Sequence, residues 1–493
     1  MCTPTASMKE VGFQNAYLTI YCSLVLAVLL SFCMVLIEGV RRSTIRLEAE
    51  CVMDIGMNSI LAEYHRELFE QYNLFYIDTS YGSKEPSYQN TATHLQHYLN
   101  QNFEVEDVFL SNWMYRDFFR ISMSDVSLTQ VAVASDGFGN NVRKQAIAAI
   151  QDDIGISYLQ ELQNRLQTVS EYELTTQDLR IQKESVDQQI QSHDGELIPI
   201  SEDEWEEVDI YNPTDKLDQK RATGILNLVL KKGEMVSAQT VDLSVLASKR
   251  EQRGELHQGN ADVYETDGIL EKLQFIEYLV KYCGKYRQTQ AKDRLQYQIE
   301  YLITGKSSDS ENLKGVVHRI SAMREAANAV YLFADPEKSL EAEILAITLA
   351  SAMLLPQIAP LLKTTILLAW AYAESLYDVK VLLSGGKIPI LKTDDTWHYG
   401  LNSIYGNMDD QPETETSGLA YEDYLRILLA LVGDRTLNYR FLDLIEMDMR
   451  ATPGNERFRI DGCIDLVEAT ATINSEYGYT FTITRKKKYL FDL

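Results

Sequence analysis

Two acidic side chains, Glu374 and Asp378, have the spacing that best suits acid–base chemistry in this sequence of 493 residues. They lie four residues apart in a segment with helical periodicity, so both would occupy one face of a helix. An apolar neighbour such as Trp370 would raise the pKa of one carboxyl and suit it to general acid catalysis. In that interpretation the protein is a surface hydrolase, and His398 is a second group of its site. Because buried carboxylates are usually paired, we instead expect Glu374 to accept hydrogen bonds inside a helical core.

Other motifs point to no catalytic, cofactor-binding or metal-binding residue. His94 and His97 stand three positions apart on a predicted helix, but no third ligand is near them in sequence, which favours a solvated helix face. The segment SGGKIP (384–389) resembles a phosphate-binding loop but lacks the first glycine and the Ser or Thr after the lysine, so it predicts a turn from helix to strand. The sequence contains no H-E-x-x-H, G-x-S-x-G or EF-hand motif. We therefore predict a protein that is not an enzyme and binds no cofactor.

The composition argues against a nucleic-acid-binding protein. Acidic residues outnumber basic residues by 72 to 46, which gives a formal net charge of −26. Binding to phosphates needs a basic face, and the one dense basic run, 485–488, fits the solvated end of a strand. With 45% hydrophobic and 24% charged residues the chain is expected to fold, and its length suits about three average domains.

The N-terminal segment predicts a membrane anchor. Residues 11–37 contain no charge, and as a helix they would extend about 40 Å, which exceeds the ~30 Å hydrocarbon core of a bilayer. A cleaved signal peptide has a shorter apolar region and a small-x-small site, and the following IEGVRRST offers none. Cleavage after Gly12, in the manner of a prepilin, is a lesser alternative, because Tyr17 stands where type IV pilins have a glutamate.

The anchor is predicted to continue as an amphipathic helix to residue 73. Apolar side chains recur three or four positions apart, at Met53, Met57 and Ile60. By the positive-inside rule, Arg41 and Arg42 after the anchor favour a cytoplasmic C-terminus, although large domains are translocated despite a weak charge bias. An apolar stripe left exposed on this helix beyond the anchor would indicate assembly with other proteins.

The rest of the chain predicts an α+β head that is mainly helical, with an antiparallel sheet formed by strands near both ends. Residues 103–134 and 458–489 alternate in the manner of strands, and helical periodicity dominates between them. The uncharged run 344–362 is long enough for a second membrane span, but Pro356 and Pro360 interrupt it and favour two short buried helices. The predicted divisions are a short cytoplasmic N-terminus (1–12), a transmembrane helix (13–37), its continuation into the head (38–73), strands and a helix (74–135), a helical hairpin or coiled-coil arm (136–194), an acidic linker with loops (195–262), a helical subdomain (263–452) and C-terminal strands (453–493).

The six cysteines are too few for a disulfide framework, and no C-x-x-C pair occurs. Cys22 and Cys33 fall inside the apolar segment, where they behave as small hydrophobic residues. Cys283 and Cys463 would form a bridge only in an oxidising compartment, and reduced, mostly buried thiols are the simpler expectation.

Four segments resemble one family: IEGVRRSTIRLEAE (37–50) and residues 57–82, 212–230 and 369–397. The family is an uncharacterised, clostridial-type group of single-pass membrane proteins from Gram-positive anaerobes, associated with Tad/Flp-like pilus systems. The resemblance spans nearly the whole chain and implies a pilin-like apolar helix with the head outside the membrane. It carries no catalytic or binding residue to this sequence. A head of ~450 residues is too large for a major pilin, whose domains are near ~100–150 residues, so a minor or assembly-associated role fits better.

We therefore expect a membrane-anchored, single-pass cell-surface protein with a structural or assembly role, linked to a Tad/Flp-like pilus. Its partners would be the lipid bilayer and protein components of a pilus or secretion system, and not nucleic acid. The alternatives are a surface hydrolase with an unrecognised site, and a sensor or scaffold that binds a partner through the helical arm at 141–192. A pocket lined by converging polar groups would favour the hydrolase.

Overall fold

A computed structural model describes residues 10–82, 85–103, 121–199, 205–207, 224–231, 233–262, 268–289, 294–402 and 417–489. Helices predominate in it, and strands from both ends of the head form one antiparallel sheet, which confirms the predicted α+β fold. The helices are α1 (Glu10–Leu61), α2 (Arg66–Tyr72), α3 (Tyr88–Phe103), α4 (Asp136–Ala148), α5 (Ile156–Gln191), α6 (Ile225–Val229), α7 (Ala247–Arg253), α8 (Ile269–Tyr282), α9 (Gln298–Thr304), α10 (Asp309–Ala334), α11 (Pro336–Ala352), α12 (Ala359–Ser384), α13 (Tyr421–Leu431) and α14 (Asp434–Arg450). The strands are β1 (Ile77–Asp78), β2 (Ile121–Val133), β3 (Leu197–Pro199), β4 (Trp205–Glu207), β5 (Lys387–Ile388), β6 (Leu419–Ala420), β7 (Cys463–Ser475) and β8 (Thr480–Lys488).

Helix α1 is 52 residues long and has two distinct halves. The apolar half, residues 17–37, is exposed on all sides. Among the described residues, α1 is the one helix that is long and apolar enough to cross a membrane. The second half, from Ile45 onward, buries one face in the head. No proline interrupts the helix, so its hydrogen bonds continue from one half into the other.

The predicted continuation of this helix to residue 73 is divided in the structure, because α1 ends at Leu61 and a separate short helix, α2, follows. His65 causes the break. Its ring accepts a hydrogen bond from the Leu68 backbone N–H at 3.2 Å and so caps α2, while its own backbone N–H donates to the Tyr76 carbonyl at 2.8 Å. These contacts join the start of α2 to the segment that precedes β1.

Strand β7 is the centre of the main sheet. It pairs antiparallel with β2, with β8 and, at its first two residues, with β1. Alternate residues of β7, among them Ala469, Ala471 and Ile473, are buried against α1 and α3. The sheet therefore connects the two ends of the head and presents one apolar face to the N-terminal helix.

Gly56 allows α3 to approach α1 closely. A Cβ atom at this position would lie 2.7 Å from Leu99 Cδ2 and 3.1 Å from Leu95 Cδ1, both on α3. Gly39, nearer the apolar half, would meet nothing within 4 Å. Gly56 thus serves helix–helix packing inside an uninterrupted helix.

The helical body is built around α12, most of whose side chains are buried. Helices α10, α11 and α5 pack against it. The run 344–362 is divided between two helices, as predicted, since α11 ends at Ala352 and Pro360 lies in the first turn of α12. The two helices are not short and buried as expected, because they have 17 and 26 residues and α11 leaves Ile344 and Ile347 exposed. The segment predicted as a hairpin or arm at 136–194 contains α4 and one continuous helix of 36 residues, α5, which is buried near both ends at Leu159 and Ile190.

Glu300 of α9 is a fully buried carboxylate in this body. Its Oε1 accepts hydrogen bonds from the Tyr286 backbone N–H (3.0 Å) and the Tyr421 hydroxyl (2.8 Å), and its Oε2 has no hydrogen-bond partner among the described residues. Burial raises the pKa of Glu300 from 4.5 to about 7. Ionisation of this group therefore opposes folding.

We predict that Glu300→Gln stabilises the protein at high pH. The folded state binds the Glu300 proton more tightly than the unfolded state, so native stability falls as pH rises from about 4.5 to about 7 and the loss is complete above that window. The amide oxygen retains both hydrogen bonds without the charge, but the amide N–H groups take the unpartnered Oε2 position, so the gain at pH 8 should be about 1–2 kcal/mol. Melting temperatures of the detergent-solubilised chain at pH 5 to 8 test this, with Glu341→Gln on an exposed part of α11 as control. A gain independent of pH would contradict it.

Candidate functional site

Glu374 and Asp378, the acidic pair singled out by the sequence, lie on one side of α12 and share one lysine. The ammonium of Lys392, in the loop after β5, contacts Glu374 Oε1 and lies 2.6 Å from Asp378 Oδ1. Arg324 of α10 donates from Nε to Asp378 Oδ2 at 2.9 Å, and Asn328 donates to the same oxygen at 3.1 Å. Two carboxylates and two cationic side chains thus form a compact cluster.

Glu374 also binds the backbone that follows Lys392. Its carboxylate accepts the backbone N–H of His398 (3.0 Å) and of Tyr399 (2.9 Å). The imidazole of His398 stacks on Tyr377, with 3.7 Å between ring centroids. Glu374 therefore meets His398 through its backbone N–H.

The electrostatics of this cluster suit a structural role. Burial raises the pKa of Glu374, and Lys392 offsets part of that effect. Burial would also raise the pKa of Asp378, but Arg324 and Lys392 outweigh it and hold that pKa below its ordinary value. The side chains of Glu374, Asp378 and Lys392 are at most 1% exposed, so a substrate could reach them only if the helices separated. As expected from the sequence, Glu374 accepts hydrogen bonds inside a helical core.

The other sequence candidates also have structural surroundings. His94 lies 3.1 Å from Glu63 and stacks on Tyr81, while His97 is exposed. The segment SGGKIP forms the end of α12, a left-handed Gly385 with φ of 96° and the start of β5, which confirms the predicted turn. Within the described ranges, no group of three or more His, Cys, Asp or Glu side chains could hold a metal ion.

A cavity of about 270 Å³ lies between α7, α9 and α14. Its cationic side chains already have partners. Arg435 forms an ion pair with Glu251, and Arg440 donates to the carbonyls of Leu302 (2.8 Å) and Ile303 (2.9 Å) at the end of α9. Arg440 therefore caps a helix, and these groups are not arranged to hold a ligand.

The second half of α1 carries an apolar stripe that the head does not cover. Val40, Leu47 and Ile55 are 67%, 61% and 48% exposed, and Cys51 is exposed among them. At 3.6 residues per turn these four positions share one side of the helix, and we call them the free face. The residues that enter the core lie on the opposite side: Ile45, Ala49, Val52 and Met53.

The head contacts α1 at the residues that follow the apolar half. In the turn between β7 and β8, the ring of Tyr477 lies 4.5 Å from the Arg41 guanidinium, and Tyr479 lies 6.0 Å from that of Arg42. Farther along, Arg485 of β8 binds Glu50 at 3.2 Å and Asp54 at 3.1 Å. These contacts fix the rotation of α1, so the direction of the free face is fixed as well.

Sequence reasoning missed Lys392 and Arg324, because nothing in their spacing connects them to α12. It also did not assign the free face, although its signal is present in the helical spacing of Val40, Leu47, Cys51 and Ile55.

We predict that Lys392→Met destabilises the fold by about 3–5 kcal/mol, because it leaves two buried carboxylates without their shared cation. Lys363→Met is the matched control. Lys363 pairs with Glu343 at 2.8 Å in a partly exposed bridge, whose loss should change stability by about 0–1 kcal/mol. Thermal unfolding of both variants measures the difference, and equal melting temperatures would show that the buried cluster contributes no more than a surface pair.

Comparison with known proteins gives one family match. Residues 203–475, more than half of the chain, match a family described as of unknown function. This range contains α6 to α14 and all of β7, and α1 to α5 lie before it. It supports an uncharacterised family, as expected from the sequence, and carries no link to pili or to a bacterial group. No curated protein and no solved structure matches the chain. The chain therefore belongs to the Family of unknown function (DUF5702).

Proposed function

We propose that this protein is a single-pass membrane protein with a structural or assembly role, and that the free face of α1 is the surface on which a partner helix packs. The observation that carries the proposal is the exposure of Val40, Leu47, Cys51 and Ile55 along one line of a helix that is held rigidly by its head. Single exposed apolar residues are ordinary on protein surfaces, but a contiguous apolar stripe is typical of an interaction site.

Burial of the free face by a partner is favoured by the hydrophobic effect. Full burial of a Val, Leu or Ile side chain contributes about 1.5–3 kcal/mol, so covering three of them offers several kcal/mol before the costs of association. The head itself does not use this surface, since its core contacts lie on the other side of α1. Because these three side chains are 48–67% exposed, a partner that covers them gains roughly half to two thirds of this free energy before those costs.

The sequence resemblance supports a more specific version of the proposal. In this version the protein is a minor or assembly component of a Tad/Flp-like pilus or secretion system, with its head outside the cell. The candidate acids give no support to a surface hydrolase, because Glu374 and Asp378 are enclosed with Lys392 and Arg324.

We predict that the solubilised wild-type chain has a mass greater than one copy. Light scattering of the protein in mild detergent measures this. Leu47→Ser combined with Ile55→Ser should lower the mass and leave the melting temperature unchanged, because both side chains lie outside the head core. Arg46→Ser, on an exposed position turned away from the free face, is the control and should retain the wild-type mass. A wild-type chain that is monomeric even when it is solubilised from its native membrane, where its partner is present, would overturn the proposed function.

We predict that the head is accessible from outside the cell. Met235 is 93% exposed, so Met235→Cys is a suitable probe in a chain that also carries Cys2→Ser and Cys51→Ser. Cys283 and Cys463 are buried, and Cys22 and Cys33 lie in the apolar half of α1, so none of these four should react. An impermeant maleimide should label intact cells, and the same chain without Met235→Cys should stay unlabelled. Labelling only after permeabilisation would place the head in the cytoplasm.

A further inference from the structure

We propose that the turn between β7 and β8 (residues 476–479) lies in the headgroup layer of the bilayer, so that the head rests directly on the membrane. This inference rests on the proposed function, in which α1 spans the membrane, and it adds a second contact surface, whose partner is the phosphate-bearing headgroups of lipids. It follows from the point on α1 at which the head begins, from the direction of β8 and from the side chains of the turn.

The described part of the head leaves the last residues of the apolar half uncovered. These residues are 53–70% exposed: Met34, Val35, Leu36 and Ile37. A charged residue, Glu38, follows them directly. Four consecutive large apolar side chains are unfavourable in water, so the hydrocarbon core around a spanning α1 extends to Ile37. The boundary between hydrocarbon and headgroups therefore lies between Ile37 and Glu38.

The turn between β7 and β8 lies at the depth of the headgroups. The ring of Tyr477 is 4.5 Å from the Arg41 guanidinium. Arg41 follows Ile37 by four residues, so it lies about 6 Å beyond the hydrocarbon core at 1.5 Å per residue. A bilayer with a core of ~30 Å and a total thickness of ~40–45 Å has a headgroup layer of roughly 5–8 Å on each side. The turn is therefore inside this layer when α1 spans the membrane.

Strand β8 leads from this turn to the far end of the head. Tyr479 lies 6.0 Å from the Arg42 guanidinium, and the Tyr489 hydroxyl donates to the Leu61 carbonyl. Between these two contacts α1 rises about 28 Å at 1.5 Å per residue, and the strand extends about 33 Å at 3.3 Å per residue. Because the two lengths are similar, β8 lies nearly parallel to the axis of α1. The turn is therefore the end of this strand that faces the membrane.

Two side chains at this end suit the headgroup layer. Tyr477 is 42% exposed, and tyrosine is enriched at membrane interfaces because its ring is apolar and its hydroxyl is polar. Arg42 is exposed, and among the described residues no carboxylate binds it. Phosphate oxygens accept two parallel hydrogen bonds from a guanidinium group, so Arg42 is available to a lipid phosphate.

The charges at this end of the head balance. Arg41 pairs with Glu38 at 3.0 Å, and the turn contributes one negative charge, Glu476, against the positive charge of Arg42. The whole chain carries a net charge of −26, and an acidic surface is repelled by anionic lipids. A locally neutral end avoids this repulsion, which permits close contact with the bilayer.

Depth-dependent fluorescence quenching in phosphatidylcholine vesicles tests the inference on the full chain. The quenchers are lipids that carry a nitroxide either on the headgroup or in the middle of the acyl chain. A single thiol, labelled with an NBD fluorophore, serves as the probe, and Cys283 and Cys463 remain because they are buried. The starting chain carries four substitutions: Cys2→Ser, Cys22→Ser, Cys33→Ser and Cys51→Ser.

Three probe positions separate the turn, the anchor and the far end of the head. Tyr477→Cys reports the turn. Val28→Cys reports insertion of α1, because it lies about 14 Å from Ile37, near the centre of a core of ~30 Å. Arg457→Cys is the matched control: it is exposed and precedes β7, whose 13 residues place it about 40 Å from the turn.

We predict that the headgroup nitroxide quenches the Tyr477→Cys probe at least threefold more strongly than the Arg457→Cys probe. The acyl-chain nitroxide should quench the Val28→Cys probe most strongly, since that position lies in the hydrocarbon core. This pattern supports contact between the turn and the headgroups.

Other outcomes distinguish this inference from the proposed function. Quenching at Val28→Cys with equally weak headgroup quenching at the other two positions overturns the contact and leaves the membrane span in place. Equally strong headgroup quenching at Tyr477→Cys and Arg457→Cys would show that another side of the head lies on the membrane, which also overturns it. A Val28→Cys probe that neither lipid quenches would remove the membrane span and the proposed function with it.

Discussion

The burial of one face of α1 against the sheet and α3 is the contact on which the rest of the structure depends. Ala49, Met53 and Met57 enter a core that also contains Leu95 of α3 and the inner side of β7. Each such side chain contributes about 1.5–3 kcal/mol when it is fully buried. Because the same helix continues into the apolar half, the head is joined to its proposed anchor by a rigid element in place of a flexible linker.

Electrostatic contacts give this arrangement one orientation. Arg485 binds two carboxylates of α1, and the turn between β7 and β8 meets Arg41 and Arg42. In the helical body, the cluster of Lys392, Glu374 and Asp378 fixes how the loop after β5 lies on α12. Buried ion pairs add little net stability, because the cost of desolvation offsets their attraction. We therefore infer that this cluster favours one packing arrangement of the loop on α12 over alternative arrangements.

The sequence predicted the parts of this fold that local pattern determines. The long apolar helix, the strands near both ends, the division of 344–362 at its prolines and the turn after α12 follow from hydrophobic period and from the backbone limits of proline and glycine. It did not predict the end of α1 at Leu61, because His65 caps α2 while binding Tyr76 and Asn455, and the latter is 390 residues away. Lys392 was missed for the same reason, since its role depends on tertiary contact.

The two apolar sides of α1 show why function needed the structure. Both Met53 and Leu47 belong to apolar series with helical spacing, and the sequence gives no basis for deciding which series the head covers. The structure places the head on the Met53 side and leaves the Leu47 side exposed. Tertiary contacts with α3 and β7 therefore decide which apolar series packs inside the head, and the same contacts leave the other series available to a partner.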